Sequence, residues 1–479
     1  MNRGYIFVTI CLCLSLLAGC GSSGDPTHNP NEKSDTSNSG SSSGSGSTLT
    51  VTSVGSRVLL GGTQQFTSSE NDVTWAVNSV PGGNDIVGTI SSAGLYTTPA
   101  VVPFNPVIAI KATSKANGAV STVLVEVGAL TGTRFAYVSS ATDNSIQIFV
   151  ADPKTGMLQP TSTFPVGAGT APAALALSPK GNFLFSLNRG SNDISIYAID
   201  PATGNLANAG MVPVPNGPYG MVFSAKGDFA YVSCDGASTV AAFAFSLGTG
   251  ALTPLSAASY VAGSGRIQGL AISPDGKFLY AVNRDANQII GLATAADGSL
   301  SPIAGSPFSA QPGLSSIAVS TGNYSGDYQH LYASSNNGVE AYERNVNSGA
   351  LAYVPSATQS SAGKSPELFR NVSDGLLIAV NSQSGGGFSY AFDYLGLPPG
   401  ALIAGGSPVS TGTSPVAGGW LWSDGGDSNW VYVLNRQADP SSITGSIGVY
   451  HADYTHGLVG PSATILTTLH DPTGFVVTP

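Results

Sequence analysis

Apolar and polar residues alternate in short runs along most of the chain, and turns rich in Gly, Pro, Asn and Asp separate these runs. In residues 177–205, LSPKGNFLFSLNRGSNDISIYAIDPATGN, a Ser-Pro-x-Gly turn leads into an apolar strand. A second alternating strand then ends in an Asp-Pro-x-Thr-Gly turn. A hydrophobic period of two residues predicts β-strands, and no helical period competes with it. The pattern therefore predicts an all-β protein.

The apolar strand of this stretch recurs about every 50 residues. Its central residue is in turn Tyr137, Phe185, Tyr231, Tyr280, Tyr332, Ile378 and Tyr432. Seven repeats with about four strands each predict a seven-bladed β-propeller over residues 134–479. The first repeat begins at its second strand, and the last residues, HDPTGFVVTP, have the pattern of the missing first strand. We expect this C-terminal strand to complete the first blade and to close the ring.

Residues 49–128 alternate in the same way but do not share the repeat. They contain short strands such as DVTWAVNS and PVIAIKATS, which predict an antiparallel β-sandwich. The segments Val73-Thr74-Trp75 and Gly94-Leu95-Tyr96 resemble those of bacterial Ig-like domains. This resemblance implies a spacer or adhesive module, with Trp75 in its core.

The N-terminus predicts export. The apolar run YIFVTICLCLSLLAG is too short for an ordinary transmembrane helix, and Leu17-Ala18-Gly19-Cys20 resembles the lipobox of bacterial lipoproteins. We predict a signal peptide over residues 1–19, a fatty acid such as palmitate on Cys20, and a flexible Ser/Gly-rich tether over 20–48. The protein is then expected at the outer membrane or cell surface, facing the periplasm or the exterior, with the membrane as a partner through the lipid.

Charge and composition narrow the function. Only 9% of residues are charged and the formal net charge is −10, with no basic run, which argues against nucleic acid as a partner. No cofactor motif or metal-ligand cluster is visible, so we expect no cofactor, no metal and a monomer. Apart from Cys20, the predicted mature chain keeps one cysteine, Cys234, which we interpret as a core residue. His330 and His451 are expected to be exposed.

The repeated motifs SPDGKFLYAVN and D-P-x-T-G-x-L resemble those of the seven-bladed lactonase family, which includes bacterial 6-phosphogluconolactonases. The resemblance covers residues 134–479. It implies reactive residues around the mouth of the central channel: an Arg-His pair at the start of an inner strand and a Glu after the next strand. In RIQGLAISPDGKFLYAVNR, Gln268 and Gly269 stand where the Arg-His pair is expected, and Arg284 stands where the Glu is expected.

Other polar residues fall at the same rim. The predicted ligand-binding residues are Arg189, Arg266, Gln268, Arg284 and Arg436, and the candidate catalytic residues are Glu367, His470 and Asp471. Guanidinium groups suit a small anion such as a sugar acid, and His470 beside Asp471 could form a base with its orienting carboxylate. Each Arg could instead pair with a local carboxylate.

Three functions therefore stay open. The first is binding of a small anionic ligand or a protein partner at the rim. The second is hydrolysis of a lactone of the 6-phosphogluconolactone class, which the missing Arg-His and Glu residues argue against. The third is a purely structural role in the cell envelope.

Overall fold

A computed structural model describes residues 49–478, with gaps at 54–56, 104–106, 129–132, 162–164, 256–258, 262–263, 321–328, 358–366, 371–375, 382–385, 393–401, 405–408, 411–412, 423–428, 438–443 and 454–456. The predicted signal peptide, Cys20 and the tether lie outside the described residues and stay predictions. Within these residues, no helix has the length and apolar character that a membrane span needs. The only helical element among them is one 3-10 turn, Pro355–Ala357, so the all-β prediction is confirmed.

The N-terminal part consists of two five-stranded sheets that share one core. In spatial order, the first sheet contains Val51–Ser53, Thr63–Ser68, Leu95–Thr97, Gly88–Ile90 and Gly83–Asn84. The second contains Arg57–Leu59, Val120–Gly128, Val107–Ser114, Val73–Val77 and Val80–Pro81. Phe66 and Tyr96 of the first sheet pack in one core with Trp75 and Ile110 of the second. The two sheets therefore form a sandwich, because each buries its alternating apolar face against the other.

Seven antiparallel sheets follow, one for each repeat, and we number them blades 1 to 7. Their inner strands are Pro472–Val477, Pro172–Leu177, Pro218–Phe223, Ile267–Ile272, Ile317–Val319, Glu367–Arg370 and Thr413–Trp422. Their second strands are Arg134–Ser140, Phe183–Asn188, Phe229–Cys234, Phe278–Asn283, Gln329–Ser335, Leu376–Asn381 and Asn429–Gln437.

The remaining strands lie further from the axis. The third strands are Ser145–Ala151, Asp193–Ile199, Thr239–Phe245, Gln288–Thr294, Gly338–Arg344, Gly386–Phe392 and Thr444–Asp453. The outer strands are Leu158–Pro160, Leu206–Pro213, Leu252–Pro254, Leu300–Pro302, Leu351–Tyr353, Leu402–Ala404 and Gly457–His470. Short strands Val166–Gly167, Tyr260–Val261, Phe308–Ser309 and Val409–Ser410 also pair with the third strands of blades 1, 3, 4 and 6.

The blades form a closed ring, which confirms the predicted propeller. Each inner strand contacts the inner strands of the blades on either side, and Pro472–Val477 lies between the inner strands of blades 7 and 2. This C-terminal strand pairs with Arg134–Ser140, placing Val476 opposite Tyr137. Chain segments more than 300 residues apart in sequence thus share one blade, and its backbone groups are paired.

The connections divide the propeller into two faces. Antiparallel strands place the second-to-third turns and the outer-to-inner connections on one side, which we call the mouth face. The inner-to-second turns and the third-to-outer hairpins lie on the other side, the opposite face. The hairpin glycines of the opposite face are Gly156, Gly204, Gly250, Gly298 and Gly349, with φ between 69° and 81°. An added Cβ on any of them would lie 2.3–2.6 Å from an aromatic ring of the preceding blade.

The sandwich docks on the opposite face. Val101 follows the last strand of the first sheet and is only 2% exposed, although it lies outside the core of the sandwich. Together with Pro179 and Leu247, it converges on Gly227. The backbone N–H of Val102 donates to the carbonyl oxygen of Pro179 at 3.3 Å. Val101 therefore occupies a socket built from turns of blades 2 and 3 on the opposite face.

Candidate functional site

The rim of the mouth is held by a repeated side-chain contact. Asn144, Asn192 and Asn287 occupy second-to-third turns with φ of 51° to 56°. Their carboxamide oxygens accept the backbone N–H of Ala171, Gly217 and Gly313 at 2.7, 2.8 and 2.9 Å. Asn tolerates this left-handed backbone because its short side chain can bond locally. Each turn therefore fixes the connection that leads into the next inner strand.

Among the described residues of the rim, His470 is the candidate base with an imidazole side chain. It ends the outer strand of blade 7, just before the inner strand of blade 1. Its Nδ1 lies 2.9 Å from Oδ1 of Asp143, and its backbone N–H donates to Oδ2 of Asp143 at 2.7 Å. Ser140 Oγ donates to the carbonyl oxygen of His470. The imidazole is thus fixed by a carboxylate from the neighbouring turn.

Asp143 remains ionised near neutral pH. Burial raises the pKa of Asp143, but the hydrogen bonds that it accepts from His470 outweigh burial and hold this pKa below its ordinary value. A carboxylate on Nδ1 keeps the proton on that nitrogen and leaves the Nε2 lone pair as the base. The side chain of His470 is 43% exposed, so solvent and small molecules can reach the ring.

A guanidinium group contacts the residue next to His470. Asp471 follows His470 with φ of 43°, and its Oδ1 lies 2.7 Å from Nε of Arg436. Arg436 is the penultimate residue of the second strand of blade 7, and its side chain is 52% exposed. The carboxylate partner of His470 is therefore Asp143, whereas Asp471 pairs with Arg436.

A second polar group spans the rim of blades 2 to 4. Nη2 of Arg189 donates to Oδ2 of Asp235 at 2.6 Å, and the Asp235 side chain is only 1% exposed. Arg266 holds Asp285 by its Nε at 3.0 Å and its Nη2 at 2.8 Å. The hydrogen bond from Arg266 lowers the pKa of Asp285, which keeps that carboxylate ionised.

Arg284 makes a weaker contact. Its Nη1 lies 3.4 Å from Oε1 of Gln268, which is 3% exposed. The predicted cations thus differ: Arg189, Arg266 and Arg436 are each within ion-pair distance of an aspartate, whereas Arg284 has no such contact among the described residues. Pairing with a nearby carboxylate, the alternative that the sequence left open, therefore applies to three of the four predicted arginines.

The position where the lactonase resemblance implies a His is packed. A Cβ on Gly269 would lie 3.3 Å from Cγ2 of Val282 and 3.4 Å from the carbonyl oxygen of Ser315. A side chain there requires small shifts of its neighbours. Gln268, Gly269 and Arg284 thus stand at the positions where the resemblance implies the Arg-His pair and the Glu.

The remaining predicted residues contribute less to the site. Glu367 begins the inner strand of blade 6, but its side chain is outside the described part of the structure. The prediction that His330 is exposed is wrong. His330 lies on a second strand and is only 7% exposed, and burial lowers its pKa to about 4. Cys234 is buried, which raises its pKa to about 12, so it is a poor nucleophile.

Among the described residues, no group of three metal-ligating side chains could hold an ion.

Comparison with known families identifies the class. The model of the seven-bladed β-propeller lactonases matches residues 104–217 and 209–364, which together span more than half of the chain. The chain therefore belongs to this family.

Solved structures share the fold. A 6-phosphogluconolactonase candidate from Bacteroides uniformis matches with a TM-score of 0.57 and 18% identity, covering 72% of this chain and 100% of that one. A similar protein from Bacteroides fragilis gives 0.57 and 20%, with coverages of 72% and 98%. The periplasmic gluconolactonase of Pseudomonas aeruginosa gives 0.58 and 19%, with coverages of 73% and 99%. A search of the curated proteins found no match.

Proposed function

We propose that the protein hydrolyses a lactone at the mouth of its propeller, with His470 as the general base. The observation that carries the proposal is the contact of 2.9 Å between His470 and Asp143, and Arg436 pairs with Asp471, the next residue along the chain. Family membership supports lactone chemistry over the binding function that the sequence analysis placed first. A base with its orienting group and a nearby cation are the parts that ester hydrolysis requires.

The reaction divides among these residues. Nε2 of His470 takes a proton from water as the water oxygen attacks the lactone carbonyl carbon. The guanidinium of Arg436 stabilises the negative charge that develops on the carbonyl oxygen. When the ring C–O bond breaks, protonated His470 returns the proton to the leaving alkoxide, and the product is a hydroxy acid. Asp143 fixes the ring and stabilises the imidazolium.

The test is turnover of a panel of lactones, with glucono-1,5-lactone and a γ-lactone measured by pH-stat and corrected for spontaneous hydrolysis. We expect His470→Gln to lower kcat by about 10²-fold or more, and Asp143→Asn to lower it less. His451→Gln is the matched control, because His451 packs on the Trp430 ring at 5.3 Å near the opposite face.

The panel also separates the other functions. Lactones that shift the melting temperature without being hydrolysed would restore the binding function. No turnover and no shift with any compound would favour a structural role. Turnover that survives His470→Gln would place the base elsewhere on the rim.

A further inference from the structure

The cations on the rim of blades 2 to 4 differ in their pairing. Three guanidinium groups, Arg189, Arg266 and Arg284, share this rim with the carboxylates of Asp193, Asp235 and Asp285. The hydrogen bond with Asp285 is the main cause that raises the pKa of Arg266, and the charge of Asp235 raises it further. The buried carboxylate of Asp193 accepts a hydrogen bond from the amide of Asn188 at 2.6 Å. Among the described residues, no aspartate lies within ion-pair distance of Arg284.

Arg284 is the guanidinium group of this rim without an aspartate contact. Asp285 is held by Arg266 instead: Nε and Nη2 bind Oδ1, and the backbone N–H binds Oδ2 at 3.1 Å. Arg284 is exposed, and its backbone N–H donates to the carbonyl oxygen of Arg266 at 3.0 Å. The backbone of Arg284 is thus anchored while most of its guanidinium donors face solvent.

Gln268 provides a fixed polar wall beside it. The side chain is buried, and its Oε1 is turned toward Nη1 of Arg284. An amide whose oxygen faces the guanidinium has its NH₂ left as a donor. A planar ligand with two oxygens fits a guanidinium well, because two parallel N–H groups can bind it at once.

We infer that Arg284 and Gln268 form a subsite for a carboxylate, carried by a small hydroxy acid. The choice of a hydroxy acid rests on the proposed function, since opening a lactone releases one. The carboxylate preference rests on the exposed guanidinium of Arg284, which has no aspartate contact among the described residues. The subsite lies three blades from His470 around the ring, so it binds an acid group remote from the reacting carbonyl or holds a released product.

The test is calorimetry at low salt on the full chain with gluconate as the probe. Sorbitol, its uncharged counterpart, and inorganic phosphate are the comparison ligands. We expect gluconate to bind, sorbitol to bind at least tenfold more weakly, and Arg284→Gln to weaken gluconate binding by about tenfold or more. Gln268→Glu should weaken it similarly, because the new carboxylate would neutralise Arg284.

Lys277→Gln is the control for net charge. Lys277 lies in the same blade on the opposite face, where it is 65% exposed, and its loss should change gluconate binding less than twofold. Equal weakening in this control and in Arg284→Gln, or wild-type gluconate binding no tighter than sorbitol, would overturn the subsite. Phosphate binding that exceeds gluconate binding and depends on Arg284 would overturn the carboxylate preference.

Gluconate binding tests the subsite, and lactone hydrolysis tests the proposed function, so the two proposals can be overturned independently. His470→Gln should retain gluconate binding even though it loses hydrolysis. If no lactone is turned over but gluconate binding still depends on Arg284, the subsite stands and the proposed function falls. If hydrolysis depends on His470 but gluconate binding does not depend on Arg284, the proposed function stands and the subsite is overturned.

Discussion

The two faces of the propeller are built from the same repeats but held by different forces. On the mouth face, the contacts are hydrogen bonds and ion pairs between half-exposed side chains, such as Arg266 with Asp285. On the opposite face, glycines lie against aromatic rings, and Tyr137, Tyr280 and Tyr432 donate to the carbonyl oxygens of Gly204, Gly349 and Gly156. Exposed ion pairs contribute little to stability, whereas buried packing contributes most of it.

Because of this difference, substitutions on the two faces are expected to affect different properties: ligand binding on the mouth face and stability on the opposite face. Replacing a polar residue on the mouth face changes what the rim can bind without disturbing the core. Replacing a hairpin glycine on the opposite face removes the contact between two blades.

The largest effect is expected at an opposite-face glycine. Gly204→Ala would place a Cβ 2.3 Å from the Phe135 ring at a φ of 70°. We expect a loss of about 2–4 kcal/mol in the free energy of unfolding, from strain and overpacking together. Thermal and urea unfolding measure it.

Gly248→Ala is the control for this change. Gly248 lies in the corresponding hairpin of blade 3, and no atom lies within 4 Å of its added Cβ. If both variants unfold like the wild type, the packing of glycine against aromatic rings does not hold the opposite face together.

A smaller effect is expected at the socket for the sandwich. Val101→Ala removes two methyl groups from the contact with Pro179, Gly227 and Leu247, and we expect it to cost about 1–2 kcal/mol. The sandwich should then unfold at a lower temperature than the propeller, which calorimetry would resolve as two transitions. Val120→Ala, at a residue 52% exposed, should leave a single transition. Unaltered unfolding of the Val101 variant would mean that the Val101 contact does not couple the two parts.

The smallest effect is expected on the mouth face, as a dependence on pH. The pKa of Asp143 is lowered in the folded state, so its ionised form contributes stability above the ordinary Asp pKa of about 3.9. That contribution is lost as pH falls through the lowered pKa. The melting temperature of the wild type should therefore fall more steeply than that of Asp143→Asn as the pH is lowered below about 4, the ordinary Asp pKa. Parallel curves would show that the contact with His470 does not stabilise the fold.

The repeat made the propeller predictable. The period-two strands, the aromatic residues such as Tyr137 and the positive-φ hairpin glycines recur in blades 1 to 5, because each blade must present the same surface to its neighbour. The docking of the sandwich was not predictable in this way. Val101 stands in an ordinary Val-Val-Pro segment, and its socket is made of turn residues from two blades that no periodicity connects to it.

The candidate site was only partly predictable. His470, Asp471 and Arg436 could be placed at the rim because loop topology follows from the strand order. Asp143 escaped notice because it lies in a Thr-Asp-Asn turn far away in sequence from His470, and only ring closure brings the two together. The pairing of Arg189 with Asp235 was also missed, because it links the ends of equivalent strands in consecutive blades rather than neighbours in sequence.

Ring closure by Pro472–Val477 also determines how the propeller can come apart. An open array of repeats has terminal units that fray first and that need special polar caps. Here every blade has two neighbours, so no unit is terminal and local opening has no preferred starting point along the ring. The seam inside blade 1 is held by a backbone ladder from Ala136 opposite Val477 to Ser140 opposite Pro472. Amide hydrogen exchange along that ladder should therefore report the opening of the whole ring, because the blade cannot release its inner strand without breaking the circle.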